Sequence, residues 1–259
     1  MSDDGDDGWP EAAVDYVQAV ADTKLLLGQR YGEWMLKGPN LEDDISGASN
    51  AQDEIGQVRQ LFRLLKRQGV DDEWLESERD PEEYANAATL DSEAEAWPTF
   101  IVQAALTDRA AWLLLDAIDH DDFTGMVQKM GEDEYFHLEH HDGRLETLAA
   151  DQPEAIEAAL KEYVPQIMAF IGPATHDAES DPLAAAGFTD RPTAEIRRAL
   201  FDHYATLFEG TDVSVPRLDD GVPDPEAWGA TRRRVGDGHV DADVVDQLQG
   251  VSNSEYVIA

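Results

Sequence analysis

FTGMVQKMGEDEYFHLEHHDGRLETLA, residues 123–149, is the stretch that decides the fold class of this chain. One set of positions recurs in it every three or four residues: Phe123, Val127, Met130, Glu134, His137, His141, Leu145 and Leu148. This period predicts one long amphipathic helix whose stripe faces other helices. Within the stripe, Glu134 and His137 form Glu-x-x-His, an i, i+3 pair that offers a carboxylate and an imidazole to the same metal. The stretch therefore predicts a helical bundle with ionisable groups inside it.

The same helical period covers most of the remaining chain. It predicts further long helices over residues 9–37, 41–68, 97–118, 153–171 and 193–209. Gly38 and Pro39 end the first of these, and a short link at 119–122 precedes the helix at 123–149, so the first four helices form two antiparallel hairpins. Residues 70–95, which are acidic and broken by Pro81, join the two hairpins. This layout predicts an all-α, ferritin-like four-helix bundle with a crossover connection.

The pattern divides the chain into three regions. Residues 1–8 form an acidic N-terminus that we expect to be disordered, and residues 9–209 form the ferritin-like domain with its additional C-terminal helices. Residues 210–259 are rich in Gly, Pro and Asp. They predict a mostly irregular C-terminal tail with a turn or two around residues 241–248.

Composition excludes several classes of function. The 259 residues include 56 Asp and Glu against 19 Lys and Arg, a net charge of −37. Binding to nucleic acid or to an anionic membrane face requires cations, so neither is expected. The hydrophobic content of 42% predicts a buried core, and the lack of cysteine excludes disulfides and thiolate metal sites. With neither a signal peptide nor a long apolar run, the chain is expected to be cytoplasmic.

The acidic residues are spread along the whole chain. Arginine outnumbers lysine by 14 to 5 among the cations. A dispersed excess of carboxylates with little lysine favours a surface adapted to high salt, where screening removes much of the self-repulsion. The alternative is an unusually acidic protein from ordinary salt conditions.

Polar residues interrupt the apolar stripes at one level of the predicted bundle. Reflection through the link near residue 120 places Asp108 of the third helix level with Glu134. Reflection through the turn near residue 39 carries Glu54 of the second helix to about residue 24, close to Asp22. The resulting polar belt comprises Asp22, Glu54, Gln57, Asp108, Glu134 and His137. Two interpretations stay open, an occupied di-metal site and a degenerate polar cluster in which cations compensate the carboxylates.

Gln57 distinguishes this belt from an ideal di-metal site, which has four carboxylates and two histidines. In the ideal site the residue three positions after the glutamate is the second histidine, whereas here Glu54 is followed by Gln57. An amide oxygen is a poor ligand for iron or manganese. Outside the belt, Arg232, Arg233 and Arg234 form the densest basic run. We consider it either a solvated loop or a contact for a phosphate-bearing ligand or acidic partner.

Several segments resemble one known family. They are DTKLLLGQRYGEW at 22–34, Asn50, Asp53 and GQVR at 56–59, EYFHL at 134–138, GRLETL at 143–148, Val215-Pro216 and GDGH at 236–239. In this order they are similar to the PaaC family, the ferritin-like structural subunits of the phenylacetyl-CoA 1,2-epoxidase (ring monooxygenase) complex. The resemblance departs in residues 70–95, in the third helix and at the N-terminus.

The resemblance implies a non-catalytic role in aerobic phenylacetate catabolism. It implies a partner catalytic subunit that holds the di-iron centre and binds the CoA thioester, a small bridging subunit, and a reductase that supplies electrons from NADPH for the reaction with O2. This chain would then contain no catalytic or cofactor-binding residues, and its belt would be vestigial and free of metal. Intact Glu134-x-x-His137 with Asp108 favours the alternative, a self-sufficient ferritin-like di-metal oxidoreductase. A third hypothesis is a bundle that serves only assembly in another complex.

Overall fold

The computed structural model of the chain describes residues 8–218 and 226–250, and within them the architecture is helical. The helices are α1 (Glu11–Trp34), α2 (Leu41–Arg67), α3 (Trp97–Asp116), α4 (Thr124–Asp151), α5 (Pro153–Ile171), α6 (Pro182–Ala185), α7 (Thr193–Leu207) and α8 (Ala242–Leu248). Two-residue strands β1 (Trp228–Gly229) and β2 (Arg234–Val235) pair antiparallel. The predicted all-α, ferritin-like fold class is confirmed. The predicted disordered N-terminus falls almost wholly on residues 1–7, which lie outside the described residues.

Helices α1 to α4 form the four-helix bundle as two antiparallel hairpins packed face to face. Helix α1 lies against α2 and α3, and α4 lies against α2 and α3. The Tyr16 hydroxyl donates to the Leu114 carbonyl (2.6 Å), and the rings of Tyr31 and Phe100 pack edge to face, which fixes α1 antiparallel to α3. Helix α5 covers the outer side of α3, and α7 packs on both. Each bundle helix therefore presents one face to the same central axis.

Local sequence explains where the second helix begins and ends. The Asn40 side chain accepts the backbone N–H of Asp43 (3.0 Å), so it caps α2. Acidic residues occupy the first turn, and Lys66 and Arg67 occupy the last, an arrangement that the helix dipole favours. Along its length Gly28 of α1 allows the two helices to approach closely, because a Cβ there would stand 3.3 Å from the Glu54 Cβ. The α1–α2 hairpin is therefore tightly packed.

The crossover at residues 70–95 contains only short helical turns, as its proline and acidic residues predict. They are a π-helical turn at Trp74–Glu78 and 3-10 turns at Pro81–Glu83 and Ala88–Leu90. Two residues of α1 anchor the crossover to the bundle. Asp22 accepts from Arg79 Nη1 (2.6 Å) and from the backbone N–H of Ala85 (2.9 Å). The Thr23 hydroxyl accepts the N–H of Ala87 (3.0 Å).

The arginine run at 232–234 attaches the described part of the C-terminal tail to the bundle. Arg233 is buried, donates to the carbonyls of Phe170 and Ile171, and lies over the ring of Tyr16. Arg234 is also buried and pairs with Asp91 (2.8 Å). The interpretation of the run as a solvated loop is wrong for these two residues. Their guanidinium groups are engaged by backbone carbonyls and Asp91, so they hold the tail in place.

Among the residues that the structure describes, no helix combines the length and the apolar content that a bilayer crossing requires.

Candidate functional site

Three of the bundle helices bring four of the six predicted belt residues together on the bundle axis. They are Glu54 of α2, Asp108 of α3, and Glu134 and His137 of α4. Their potential ligand atoms all lie within 4.8 Å of one another, and all four side chains are buried. By donor type and spacing these four residues could hold a metal ion.

The fourth helix, α1, contributes a lysine to the same place. Lys24 is completely buried, and its Nζ lies 2.6 Å from Glu134 Oε1. The same ammonium group is 3.2 Å from Glu54 Oε2 and 3.6 Å from Asp108 Oδ1. Lys24, Glu54, Asp108, Glu134 and His137 together are called the central cluster below. A single cation therefore contacts one acidic side chain from each of the other three helices.

His137 supplies a second positive charge to the central cluster. Its Nδ1 lies 3.5 Å from both Glu54 Oε1 and Asp108 Oδ2, and its Nε2 lies 3.3 Å from Asp53 Oδ2 near the surface. Burial by itself lowers the pKa of His137, but the contacts with Asp108 and Glu54 outweigh it and raise the pKa to about 11. His137 is therefore an imidazolium at neutral pH.

The cations control the protonation of the carboxyl groups around them. Burial lowers the pKa of Lys24, but the acidic groups of Glu134, Glu54 and Asp108 outweigh it and raise that pKa, so the ammonium persists. Burial disfavours the Asp108 carboxylate, yet Lys24 and His137 hold its pKa well below the usual range. Burial and the neighbouring Asp108 charge raise the pKa of Glu134 to about 8, so this carboxyl group keeps its proton at neutral pH. Burial also raises the pKa of Glu54, against the opposing effect of Lys24. Lys24 and His137 thus compensate the buried acidic groups of the cluster.

The structure does not bring Asp22 into the central cluster. Its carboxylate points to the crossover, where Arg79 and the Ala85 N–H satisfy it. The residue of α1 at the level of Glu54 is Lys24, the position to which reflection through the α1–α2 turn leads. Two residues along a helix correspond to about 200°, so Asp22 and Lys24 face different neighbours.

Gln57 is buried, but its side chain forms no hydrogen bond with the described residues of the central cluster. Neither its amide nitrogen nor its amide oxygen has a hydrogen-bond partner within the part of the chain that the structure describes. Gln57 lies one turn after Glu54 and therefore on the inner face of α2, as the sequence predicts. It places an amide where an ideal di-metal site has an imidazole.

A tyrosine–histidine pair borders the cluster, and neither residue was included in the predicted belt. The Tyr31 hydroxyl and His141 Nε2 are 2.6 Å apart, and His141 Nδ1 is 3.9 Å from Asp108 Oδ2. Burial lowers the pKa of His141 to about 3, so this imidazole is neutral. The sequence signal for the inward position of His141 was its place in the apolar stripe of α4. No pattern pointed to Lys24, and the only indication of a cation was that buried carboxylates require one.

An all-α, ferritin-like four-helix bundle with carboxylates and a histidine on its axis is the class of protein that this fold and site define. The model of one protein family, described as phenylacetic acid catabolic protein (PaaA/PaaC), matches residues 1–237, and the chain belongs to that family. It therefore has a role in phenylacetate catabolism. The family is part of a multicomponent catabolic system and is related to di-iron proteins. The family model does not separate PaaA-like from PaaC-like chains. No curated protein matches the chain.

Proposed function

We propose that this chain is the non-catalytic, PaaC-like structural subunit of a phenylacetyl-CoA 1,2-epoxidase, paired with a ferritin-like catalytic subunit that carries the di-iron centre. The observation that carries the proposal is the position of Lys24 Nζ, within 3.6 Å of an acidic side chain from each of the other three bundle helices. The family supplies the pathway, phenylacetate catabolism.

The residues present do not fit a di-metal centre. A metal ion within reach of Glu54, Asp108 and Glu134 would have to displace the Lys24 ammonium from all three, or lie beside it at strongly repulsive distance. Helix α1 provides this cation where an ideal set has a carboxylate, and α2 provides Gln57 where that set has a histidine. No reaction step is therefore assigned to a metal in this chain.

On this proposal the chain contributes stability and an interaction surface. The catalytic partner binds the acyl-CoA and the irons, a small bridging subunit joins the assembly, and a reductase delivers electrons from NADPH for the reaction with O2. The complex works in the cytoplasm and involves neither nucleic acid nor membrane. The central cluster is then a remnant of a metal site, now compensated by Lys24 and by protonated His137.

The second candidate is a self-sufficient di-metal oxidoreductase. It is favoured by the spacing of Glu54, Asp108, Glu134 and His137, whose ligand atoms lie within 4.8 Å of one another. It requires that Lys24 leave the cluster or lose its proton, against the three acidic groups Glu134, Glu54 and Asp108, which raise its pKa.

Metal analysis separates the two candidates. The chain is purified aerobically with added iron and manganese, and its metal content and reductant-driven O2 consumption are measured without partner. The proposal expects no stoichiometric metal and no O2 consumption. A chain that binds about two irons and consumes O2 would overturn it.

A designed pair of substitutions tests the reason for the expected result. Lys24→Glu combined with Gln57→His completes four carboxylates and two histidines, and this variant should gain bound iron or manganese. Gln57→His alone is the matched control and should not, because the ammonium remains. Equal metal content in both variants would show that Lys24 does not exclude the metal.

A further inference from the structure

The outer side of the α1–α2 hairpin carries a groove without acidic residues. Its volume is about 510 Å³. We call it the outer groove. It is lined by Gly28, Gln29, Met35, Ala48, Ala51, Gln52, Ile55, Gly56 and Arg59. None of them is Asp or Glu, in a chain where 56 of 259 residues are. The outer groove therefore departs from the acidic character of the rest of the protein.

Exposed apolar side chains extend the groove toward the turn between the two helices. Leu36, Leu41 and Ile45 are 81%, 65% and 61% exposed, and Met35 is 45% exposed. Along α2 the outward stripe has helical spacing: Leu41, Ile45, Ala48, Gln52, Ile55 and Arg59. Helix α2 already buries its inner face in the bundle, so it has a second weakly polar face with no cover from the described residues. Contiguous exposed apolar surface of this kind marks an interaction site.

Three glycines of the hairpin, Gly32, Gly47 and Gly56, are not explained by packing against the residues that the structure describes. A Cβ at any of the three would meet nothing within 4 Å, whereas one at Gly28 would press on Glu54 and Ile55. Glycine inside a helix costs about 1 kcal/mol relative to alanine. Small residues on a helix surface allow another backbone to approach closely. Gly56, which lines the outer groove, thus suits a helix that lies along it.

Two arginines at the far end of the stripe lack carboxylate partners. Arg59 and its neighbour one turn on, Arg63, are exposed, and neither forms an ion pair with the residues that the structure describes. By contrast, Lys66 and Arg67 in the next turn pair with Asp72 and Asp122. The apolar end of the groove and its basic end together fit an amphipathic segment that presents carboxylates to Arg59 and Arg63.

We propose that the outer groove is the docking site for a helix of the catalytic partner subunit, with small and apolar residues against Ala48, Ala51 and Gly56 and carboxylates at Arg59 and Arg63. This inference rests on the proposed function. A second copy of this chain fits less well, because its own groove offers no carboxylate to the arginines. An acid-free contact also allows two strongly acidic chains to meet without opposed carboxylates at their interface.

The absence of cysteine from the chain makes a labelling experiment direct. Gln52→Cys places one thiol in the outer groove, and Ala205→Cys places one on exposed α7, on the other side of the bundle. Each variant is co-expressed with the second ferritin-like chain of the same phenylacetate system, and its maleimide reaction rate is compared with and without that partner. The partner should slow labelling at position 52 by roughly tenfold or more and leave position 205 unchanged.

Three outcomes would overturn the inference, each in a distinguishable way. If the two chains co-elute but position 52 reacts as fast as in the isolated chain, docking at the outer groove is wrong and the proposed function stands. If position 52 becomes protected in the isolated chain as its concentration rises, the occupant is a second copy. If the chains do not associate at all, the proposed function fails, and the inference fails with it. Arg59→Glu with Arg63→Glu should weaken a wild-type complex by about tenfold or more.

Discussion

Lys24 Nζ of α1 lies 2.6 Å from Glu134 Oε1 of α4, with both side chains fully buried on the bundle axis. This contact crosses the interior between the two helical hairpins and places a cation where proteins of this architecture hold metal ions. A lysine cannot leave the site as an ion can. The charge compensation of the carboxylates is therefore built into the chain, and it is part of the folding free energy.

Removal of the ammonium should destabilise the protein strongly. Lys24→Met keeps the shape of the side chain but leaves Glu54 and Asp108 without their lysine partner. Breaking a buried ion pair by removing one member costs about 3–5 kcal/mol. Urea unfolding at neutral pH and high salt would measure the loss of free energy of unfolding.

Lys37→Met is the control for that substitution. Lys37 pairs with Glu93 at the surface, where the two side chains are 53% and 47% exposed. Such a pair contributes about 1 kcal/mol or less. Equal losses for the two variants would mean that the lysine does not compensate the buried carboxylates.

Stability should fall as the pH rises above neutrality. The pKa of His137 is raised from 6.5 to about 11, so its contribution is complete below pH 6.5 and is lost as the pH rises to about 11. The pKa of Glu134 is raised from 4.5 to about 8, so its contribution is likewise lost as the pH rises through 8. Each proton changes the free energy of unfolding by at most about 1.4 kcal/mol per pH unit. Unfolding midpoints measured from pH 6.5 to 10 should therefore decrease.

His137→Gln identifies the origin of that slope. The variant lacks the titrating imidazole, so its unfolding midpoint should depend less on pH between 8 and 10 than that of the wild type. Asp108 acts in the opposite direction, because its lowered pKa provides stability that is lost only as the pH falls below about 4. An unchanged alkaline slope in the variant would contradict the assignment to His137.

The Asp22–Arg79 pair should matter for the crossover. Both side chains are fully buried, and the guanidinium group lies over the ring of Tyr84. Arg79→Met leaves the Asp22 carboxylate unpaired, so we expect a loss of about 3–5 kcal/mol and faster proteolysis within residues 70–95. Arg67→Met is the control, since Arg67 and Asp122 are partly exposed and should contribute about 1 kcal/mol or less. Asp22→Leu combined with Arg79→Met should recover part of the loss, and failure to do so would assign it to packing of the arginine.

Assembly should require salt if the partner is equally acidic. This chain carries a net charge of −37, and the screening length falls from about 10 Å at 0.1 M to about 3 Å at 1 M salt. Dialysis of the complex to low ionic strength should dissociate it, as measured by size-exclusion chromatography. A complex that survives low salt would contradict this expectation.

Most of the helical architecture could be predicted from periodicity and from a few residues that end helices. Helix α5 spans Pro153–Ile171 as expected, and α2 begins at Leu41 after the Asn40 cap. The convergence of Glu54, Asp108, Glu134 and His137 also followed from reflection through the two turns. These features depend on the helical repeat and on turn positions, both of which are local.

The identity of the α1 residue in the cluster could not be obtained in the same way. Reflection locates a level along a helix with an error of a residue or two, but the direction of a side chain changes by about 100° with each residue. Asp22 and Lys24 both fall within that error, but only Lys24 points to the axis. The inward orientation of Arg233 and Arg234 has the same cause, because it depends on distant segments. Arg233 donates to carbonyls of α5 about 60 residues away in the chain. Arg234 pairs with Asp91 and donates to the Asn86 carbonyl, both in the crossover.

The sequence by itself determined the fold class, the hairpin order and the acidic character, because periodicity, helix-ending residues and charge are properties of single segments. Tertiary structure alone decided that the interior carboxylates meet a lysine, that Asp22 anchors the crossover and that one groove of an acidic protein is free of acid. Each of these depends on which side chains from distant segments share one volume. Buried charge permits only arrangements in which those side chains compensate one another.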